Sequence, residues 1–255
     1  DPYNVALSLA KGARSGGVTI LEGSRVVGIT QDNGRVTGVT TDVGPIEAEY
    51  VVNCAGMWAR EVGALAGVSV PLQAIEHAYL ITEPMKEMSP DLPILEIPDR
   101  FAYYREEGGG LMIGLFEPVA APWSLDAVPA DFSFGEIPSD WDRLGPFLET
   151  ALEILPGVDE VGVRKLFTGP ESFTPDNGFL IGEAPELDNF FVAAGFNSLG
   201  ILTGGGAGSI VANWIVDGVA PNDVTDVDLA RLSPFQTNRH HLHLRSRGSE
   251  RPLVR

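Results

Sequence analysis

The 255 residues are 44% hydrophobic and 8% aromatic, enough to bury one large core or two smaller ones. The formal net charge is -18, and from Arg231 onward six arginines face a single acid, Glu250, so the tail is +5 and residues 1–230 hold the balance of -23. An acidic body lacks the basic groups that neutralise phosphates, and no apolar run is long enough for a bilayer, so neither nucleic acid nor a membrane is expected as a partner. One cysteine, Cys54, excludes an internal disulfide and any multi-cysteine metal site, and it suits a reducing compartment.

Asp1-Pro2-Tyr3-Asn4 has no signal or transit character, and a first residue other than Met is expected of a chain that begins inside a longer protein. Val5, Leu9 and the neighbouring alanines are spaced for a helix over residues 3–14, which Gly16-Gly17 stops. The β-branched runs VTILE, RVVGIT, RVTGVTT and IEAEYVVNCAG predict a strand, a β-meander and a further strand, with a hairpin turn at Asp32-Asn33-Gly34. A helix is expected from Trp58 to Ala66, and Cys54, at the end of the preceding strand, is expected to pack as a small hydrophobe. Residues 70–170 differ in texture: strands at LQAIEHAYLITE, RFAYYRE and GLMIGLFEP and a helix near Ser139–Leu155 are separated by Pro-rich joints. They predict an antiparallel sheet that covers a substrate.

The segment from Phe173 to Gly218 carries the strongest local signal. An apolar strand ends in Gly195-Phe196-Asn197-Ser198 and runs at once into a glycine-rich helix. Free N–H groups and the positive end of the helix favour an anion there, or a ring that becomes anionic during reaction. Close packing of helix on strand also calls for such glycines. Gly-x-Gly-x-x-Gly is absent, and Gly204-Gly205-Gly206-Ala207-Gly208 lies inside the helix, so the phosphate loop of any dinucleotide site lies outside this chain.

Candidate chemical groups are few. His77 precedes the tail histidines, and in the alternating strand Glu76-His77-Ala78-Tyr79 it shares a face with Tyr79. Tyr103 and Tyr104 point to opposite faces, and Arg105 beside Glu106 and Glu107 reads as a surface ion pair. His240, His241 and His243 lack helical or zinc-finger spacing and read as solvated, so no metal site is expected.

In their order, VTILEGSRVVGI, VVNCAGMWAREVGALAG, EHAYLITEP, YYREEGGGLMIGLFEP, GPESFTPDNGFLIGEAPE and GFNSLGILTGGGAG resemble one family. It is that of the flavin-dependent amine oxidoreductases of the D-amino-acid-oxidase-like superfamily, the sarcosine and dimethylglycine dehydrogenase branch in particular. The resemblance implies an α/β fold of mixed α+β character, the C-terminal part of a Rossmann-like FAD-binding domain with an inserted antiparallel β-sheet domain for the substrate. The FAD-binding part would comprise residues 1–69 and 171–222, and the substrate-binding sheet residues 70–170. Residues 223–255, which contain SPFQTNRHHLHLRSRGSE, resemble a linker to a folate-binding domain absent here, which implies tetrahydrofolate as a partner of the complete protein.

The same resemblance implies FAD as cofactor and oxidative demethylation of a small N-methyl amino acid by hydride transfer to the flavin N5. Val26 falls where backbone meets the adenine, and Ala55, Gly56 and Trp58 lie beside the dinucleotide. Gly195, Phe196, Asn197, Ser198, Leu199, Gly200 and Ile201 fall where the family holds the flavin's pyrimidine edge, whose reduced form carries negative charge that helix-terminal amides stabilise. His77 is the implied base for the substrate amine, and imidazole suits that task near neutral pH. Tyr103 is implied to orient the amine or relay a proton, with Tyr104 packing behind.

GFNSLGILTGGGAG is nearer to sarcosine dehydrogenases and YYRE to dimethylglycine enzymes, so the substrate stays open. Leu202 stands where related single-subunit sarcosine oxidases carry a lysine, which leaves the carboxylate anchor unassigned. Two alternatives share the pattern: a non-catalytic regulator like the regulatory subunit of pyruvate dehydrogenase phosphatase, and another oxidase of the superfamily that acts on glycine or a D-amino acid. The implied compartment is the cytoplasm in a prokaryote or the mitochondrial matrix in a eukaryote. Without the phosphate loop, the isolated chain is expected to bind flavin poorly and to catalyse nothing alone.

Overall fold

The computed structural model describes residues 2–86, 88–117, 119–124 and 126–246. In chain order its elements are α1 (Pro2–Ser15), β1 (Val26–Asp32), β2 (Arg35–Thr41), β3 (Gly44–Glu47), β4 (Val51–Asn53), α2 (Ala59–Ala66) and β5 (Gln73–Thr82). Then come β6 (Leu95–Ile97), β7 (Ala102–Glu107), β8 (Gly110–Leu115), α3 (Trp141–Ile154), β9 (Val163–Phe173), β10 (Leu180–Glu183), β11 (Phe190–Ala194), α4 (Gly200–Asp217) and α5 (Arg239–Ser246). The described chain folds as two units: residues 2–72 with 172–242, and residues 73–171 with 243–246.

The first unit holds two small sheets. β1, β2 and β3 form the expected antiparallel meander, turned at Asn33 and Gly34, whose φ values of 49° and 79° supply the left-handed hairpin. The second sheet has the order β10-β11-β4, with β11 antiparallel to β10 and parallel to β4. Leu180, Phe190, Val192 and Val36 are buried together with Ala59, Val70, Leu72, Leu187 and Leu229, so α2 and the residues after α4 seal the same core. On the other side Ile181, Phe191, Ala207 and Val211 pack β10 and β11 against α4.

Two expected strands differ from the structure. VTILE forms none: no strand among the described residues pairs with residues 18–21, the Val18 N–H bonds back to the Ala13 carbonyl at the end of α1, and Val18 and Leu21 are exposed. β-Branched side chains favour a strand only where a neighbouring strand accepts the ladder. The run IEAEYVVNCAG is divided, since β3 ends at Glu47 on the meander and β4 starts at Val51 on the other sheet. Asn189 anchors the passage between them by donating its side-chain amide to the Glu49 carbonyl at 3.0 Å.

The second unit is a five-stranded sheet, β6-β7-β8-β5-β9, in which β6/β7, β7/β8 and β8/β5 are antiparallel. One face carries Ala78, Leu80, Ala102, Tyr104, Ile113 and Leu115, and α3 covers it with Leu144 and Ala151. Asp140 caps α3 by accepting from the backbone N–H groups of Asp142 and Arg143. Arg143 reaches from α3 to Glu117 and Glu76, at 2.8 Å each. Burial lowers the proton affinity of its guanidinium, but the two carboxylates outweigh that and raise it.

Candidate functional site

In the first unit the parallel pairing of β4 with β11 brings two expected cofactor segments to one end of a sheet. Val192 lies opposite Asn53, so the residues that follow, Ala55–Trp58 and Gly195–Ile201, leave side by side from the carboxyl ends of neighbouring parallel strands. Ligands of open α/β sheets bind at that edge. Val26 stands elsewhere, at the start of the meander opposite Thr41.

Asn53, which sequence reasoning passed over, shapes the first segment. Buried at the end of β4, it donates to the Ala59 carbonyl at 2.9 Å and accepts from the Ala55 N–H at 3.2 Å. This bends residues 54–58 into a turn with Gly56 at φ 57° and open space where a Cβ would stand. Cys54 is exposed rather than packed, and partial burial of its thiol raises its pKa, so it remains a protonated thiol and a poor nucleophile.

The second segment divides its residues between scaffold and opening. Gly195, at φ 68°, is enclosed: a Cβ there would lie 2.7 Å from Thr174 and 2.8 Å from Leu72. Phe196 packs its ring 5.1 Å from Phe179. The Asn197 side chain turns inward, accepting from the Thr174 N–H at 3.2 Å and donating to the Asn177 carbonyl at 2.8 Å, so only its backbone can serve a ligand. Asn197 and Ser198 are left-handed, at φ 45° and 68°, and Leu199 caps the 18-residue α4 without a side-chain hydrogen bond. Ser198, Gly200 and Ile201 are exposed, and Leu202 is 80% exposed. The first turn of α4 is therefore uncovered, its amide end available to a negatively charged or electron-rich edge.

In the second unit one sheet face groups the expected catalytic residues. Tyr79 and Tyr103 both lie opposite Gly114 on their strands, and Tyr103 lays its ring over that glycine, where an added Cβ would fall 1.8 Å from the ring. His77 is buried, with its ring centroid 5.9 Å from Phe116, and Tyr103 stands 5.3 Å from the same phenyl ring. Tyr79 stacks on Phe167 at 4.9 Å. Phe116 thus joins His77 and Tyr103, a link the alternation of β8 beyond Gly114 would show once its partner strands were known.

Tyr104 lies on the opposite face, 2% exposed, with its hydroxyl buried and without a hydrogen-bond partner among the described residues. Burial raises its pKa and Arg100 opposes the shift, which leaves a neutral packing residue. Arg105 is paired with Glu107 at 2.6 Å and donates to the Met112 sulfur at 3.2 Å, a partly exposed ion pair rather than a vacant anchor. Among the described residues no group of three His, Cys, Asp or Glu could hold a metal, and no helix is long and apolar enough to cross a membrane. Gly114→Ala is expected to displace the Tyr103 ring and to destabilise the sheet by about 1–3 kcal/mol. Unaltered urea unfolding of the full-length protein would show that the ring relocates freely.

Comparison with known proteins identifies the family. Residues 1–214 match the DAO family, FAD dependent oxidoreductase. Human mitochondrial sarcosine dehydrogenase is 39% identical over 98% of this chain and 27% of its own length. The mitochondrial pyruvate dehydrogenase phosphatase regulatory subunit of Mus musculus is 38% identical over 95% of this chain and 28% of its own. The chain thus spans little more than a quarter of these relatives. Among solved structures, L-proline dehydrogenase from P. horikoshii superposes with a TM-score of 0.77 at 25% identity, covering 94% of this chain and 60% of that one. Matched by that family model along most of its length, the chain belongs to the FAD dependent oxidoreductase family.

Proposed function

We propose that the complete protein oxidises the N-methyl carbon of a small secondary or tertiary amino acid, sarcosine or dimethylglycine in class, with FAD as the electron acceptor. The observation that carries this reading is the uncovered first turn of α4, which opens directly from a parallel strand end through left-handed Asn197 and Ser198. Such a turn suits the pyrimidine edge of a flavin, and the residues present fit that group. Backbone amides of Gly200 and Ile201 would hold it, the Leu199 N–H being donated to the Phe196 carbonyl at 2.8 Å, and Ala55, Gly56 and Trp58 would flank the dinucleotide. When bound, the flavin supplies the two-electron acceptor. Amides aimed at its pyrimidine edge favour negative charge there, an effect of about 1–3 kcal/mol.

His77 accepts the proton that the substrate ammonium loses before oxidation. Its burial beside Phe116 keeps bulk water from competing for that proton. Tyr103, held over Gly114, orients the amine through its hydroxyl, and the phenyl and phenol rings present apolar and π surface to N-methyl groups. In this reading residues 1–69 and 171–222 serve the cofactor and residues 70–170 the substrate, and a folate-binding domain elsewhere intercepts the one-carbon product.

A second reading has support from the mouse regulatory subunit, 38% identical to this chain against 39% for the human dehydrogenase. One experiment separates them. The full-length protein, purified yellow, is mixed under nitrogen with sarcosine, dimethylglycine, glycine and a D-amino acid in turn. Bleaching with an N-methyl amine supports the proposal, bleaching only with a primary amine points to a different oxidase, and a bound flavin that never bleaches points to the regulator.

A further inference from the structure

We propose that Arg231 is a positioning residue for the turn that opens α4, acting through the loop from Thr174 to Phe179. The inference rests on the reading that this turn meets the flavin. By composition Arg231 looks like the first charge of a basic tail. In the fold its side chain is only 14% exposed, and residues 223–242 belong to the first unit. Residues 247–255 of the expected linker lie outside the described residues.

All five guanidinium N–H groups of Arg231 are used. Nε and Nη2 donate to the two carboxylate oxygens of Asp176, each at 2.9 Å. Nη2 also donates to the Gly178 carbonyl at 2.8 Å, and Nη1 to the carbonyls of Phe179 at 2.7 Å and Asp228 at 3.0 Å. The planar fork of arginine can do this and the point charge of lysine cannot. A Cβ at residue 178 would lie 2.7 Å from Nη2, so a larger residue there would push the guanidinium out of this position. Burial alone would raise the Asp176 carboxyl, but hydrogen bonding and charge from Arg231, with the Gly178 N–H, hold it below the ordinary aspartate range.

These bonds grip the loop on both sides of Asn177, whose carbonyl accepts from the Asn197 side chain at 2.8 Å. The loop's first residue closes the circuit: Thr174 donates its N–H to Asn197 Oδ1 at 3.2 Å and its hydroxyl to the Gly178 carbonyl at 2.8 Å. Asn197 and Ser198 sit in left-handed backbone that non-glycine residues hold only when their surroundings impose it. The Asn197 side chain ties that turn to the loop by hydrogen bonds, beside the ring contact of Phe196 with Phe179, and Arg231 ties the loop to the segment after α4.

The test is hydrogen exchange, read by mass spectrometry on the full-length FAD-loaded protein and its Arg231→Lys and Asp176→Asn variants. Arg231→Lys is expected to raise exchange in peptides covering residues 196–202 by about 10-fold or more, with the meander of residues 26–47 unchanged. Asp176→Asn leaves the three carbonyl bonds of Arg231 in place, so it gives a smaller rise at the same peptides and serves if the lysine variant does not fold. Exchange at 196–202 that stays at the wild-type rate while residues 174–179 open would overturn the proposal. So would a uniform rise throughout the first unit. The visible spectrum and retention of FAD are read in parallel. If residues 196–202 loosen with no change in either, the clamp stands and the placement of the flavin at this turn fails.

Discussion

His77→Ala in the full-length flavoprotein is expected to slow anaerobic flavin reduction by an N-methyl amino acid by about 10²-fold or more, equivalent to about 2.7 kcal/mol of barrier. The magnitude follows from removing a positioned base from a site where water is a poor substitute. Rate alone would not separate a base from a packing residue, because His77 is buried against Phe116. The pH profile does. In the wild type the rate falls on the acid side as the imidazole gains its proton. In His77→Ala that part of the acid limb disappears and only the ionisation of the substrate amine remains. His77→Gln fills the same space without a base and should resemble the alanine variant. Wild-type rates in either variant would remove His77 from the chemistry.

Gly195→Ala is expected to cost about 2–4 kcal/mol, the sum of a left-handed alanine and an overpacked contact. The new methyl would stand 2.7 Å from Thr174 Cγ2 and 2.8 Å from Leu72 Cδ2, both buried, at a backbone φ of 68°. Relief requires movement of Thr174, which is hydrogen-bonded to Asn197, so the damage reaches the turn beside it. A thermal scan of the full-length protein should show the transition lowered by about 5 °C or more, with FAD lost earlier in the scan. A transition within about 1 °C of the wild type, with FAD retained, would mean that the turn tolerates a side chain at this position.

What the chain reveals before folding depends on whether the information is local. The meander was legible because Asp32-Asn33-Gly34 is a turn by its own chemistry, and α4 because a glycine-rich apolar helix follows a β-branched strand. Strand membership was less so. VTILE has the composition of a strand and no partner, whereas IEAEYVVNCAG looks continuous and serves two sheets. Both outcomes depend on pairing, which a single segment does not encode. The faces of Tyr103 and Tyr104 followed from alternation alone, and the structure puts Tyr104 in the α3-covered core and Tyr103 on the side of Phe116. Phe116, Asn53 and Arg231 escaped notice for one reason: each works through partners distant in sequence or through a backbone carbonyl, and none belongs to a residue type that announces chemistry. Asn197 shows the converse, since its position was evident while its inward side chain was not.

The most direct test of the account is an experimental structure of the full-length protein with FAD and a non-oxidisable carboxylate analogue of the amine. Flavin density is expected with its pyrimidine edge within hydrogen-bonding distance of the Gly200 and Ile201 backbone amides, and the analogue in contact with the His77 imidazole. Density that places protein side chains over the first turn of α4, or the analogue bound away from His77, would contradict it.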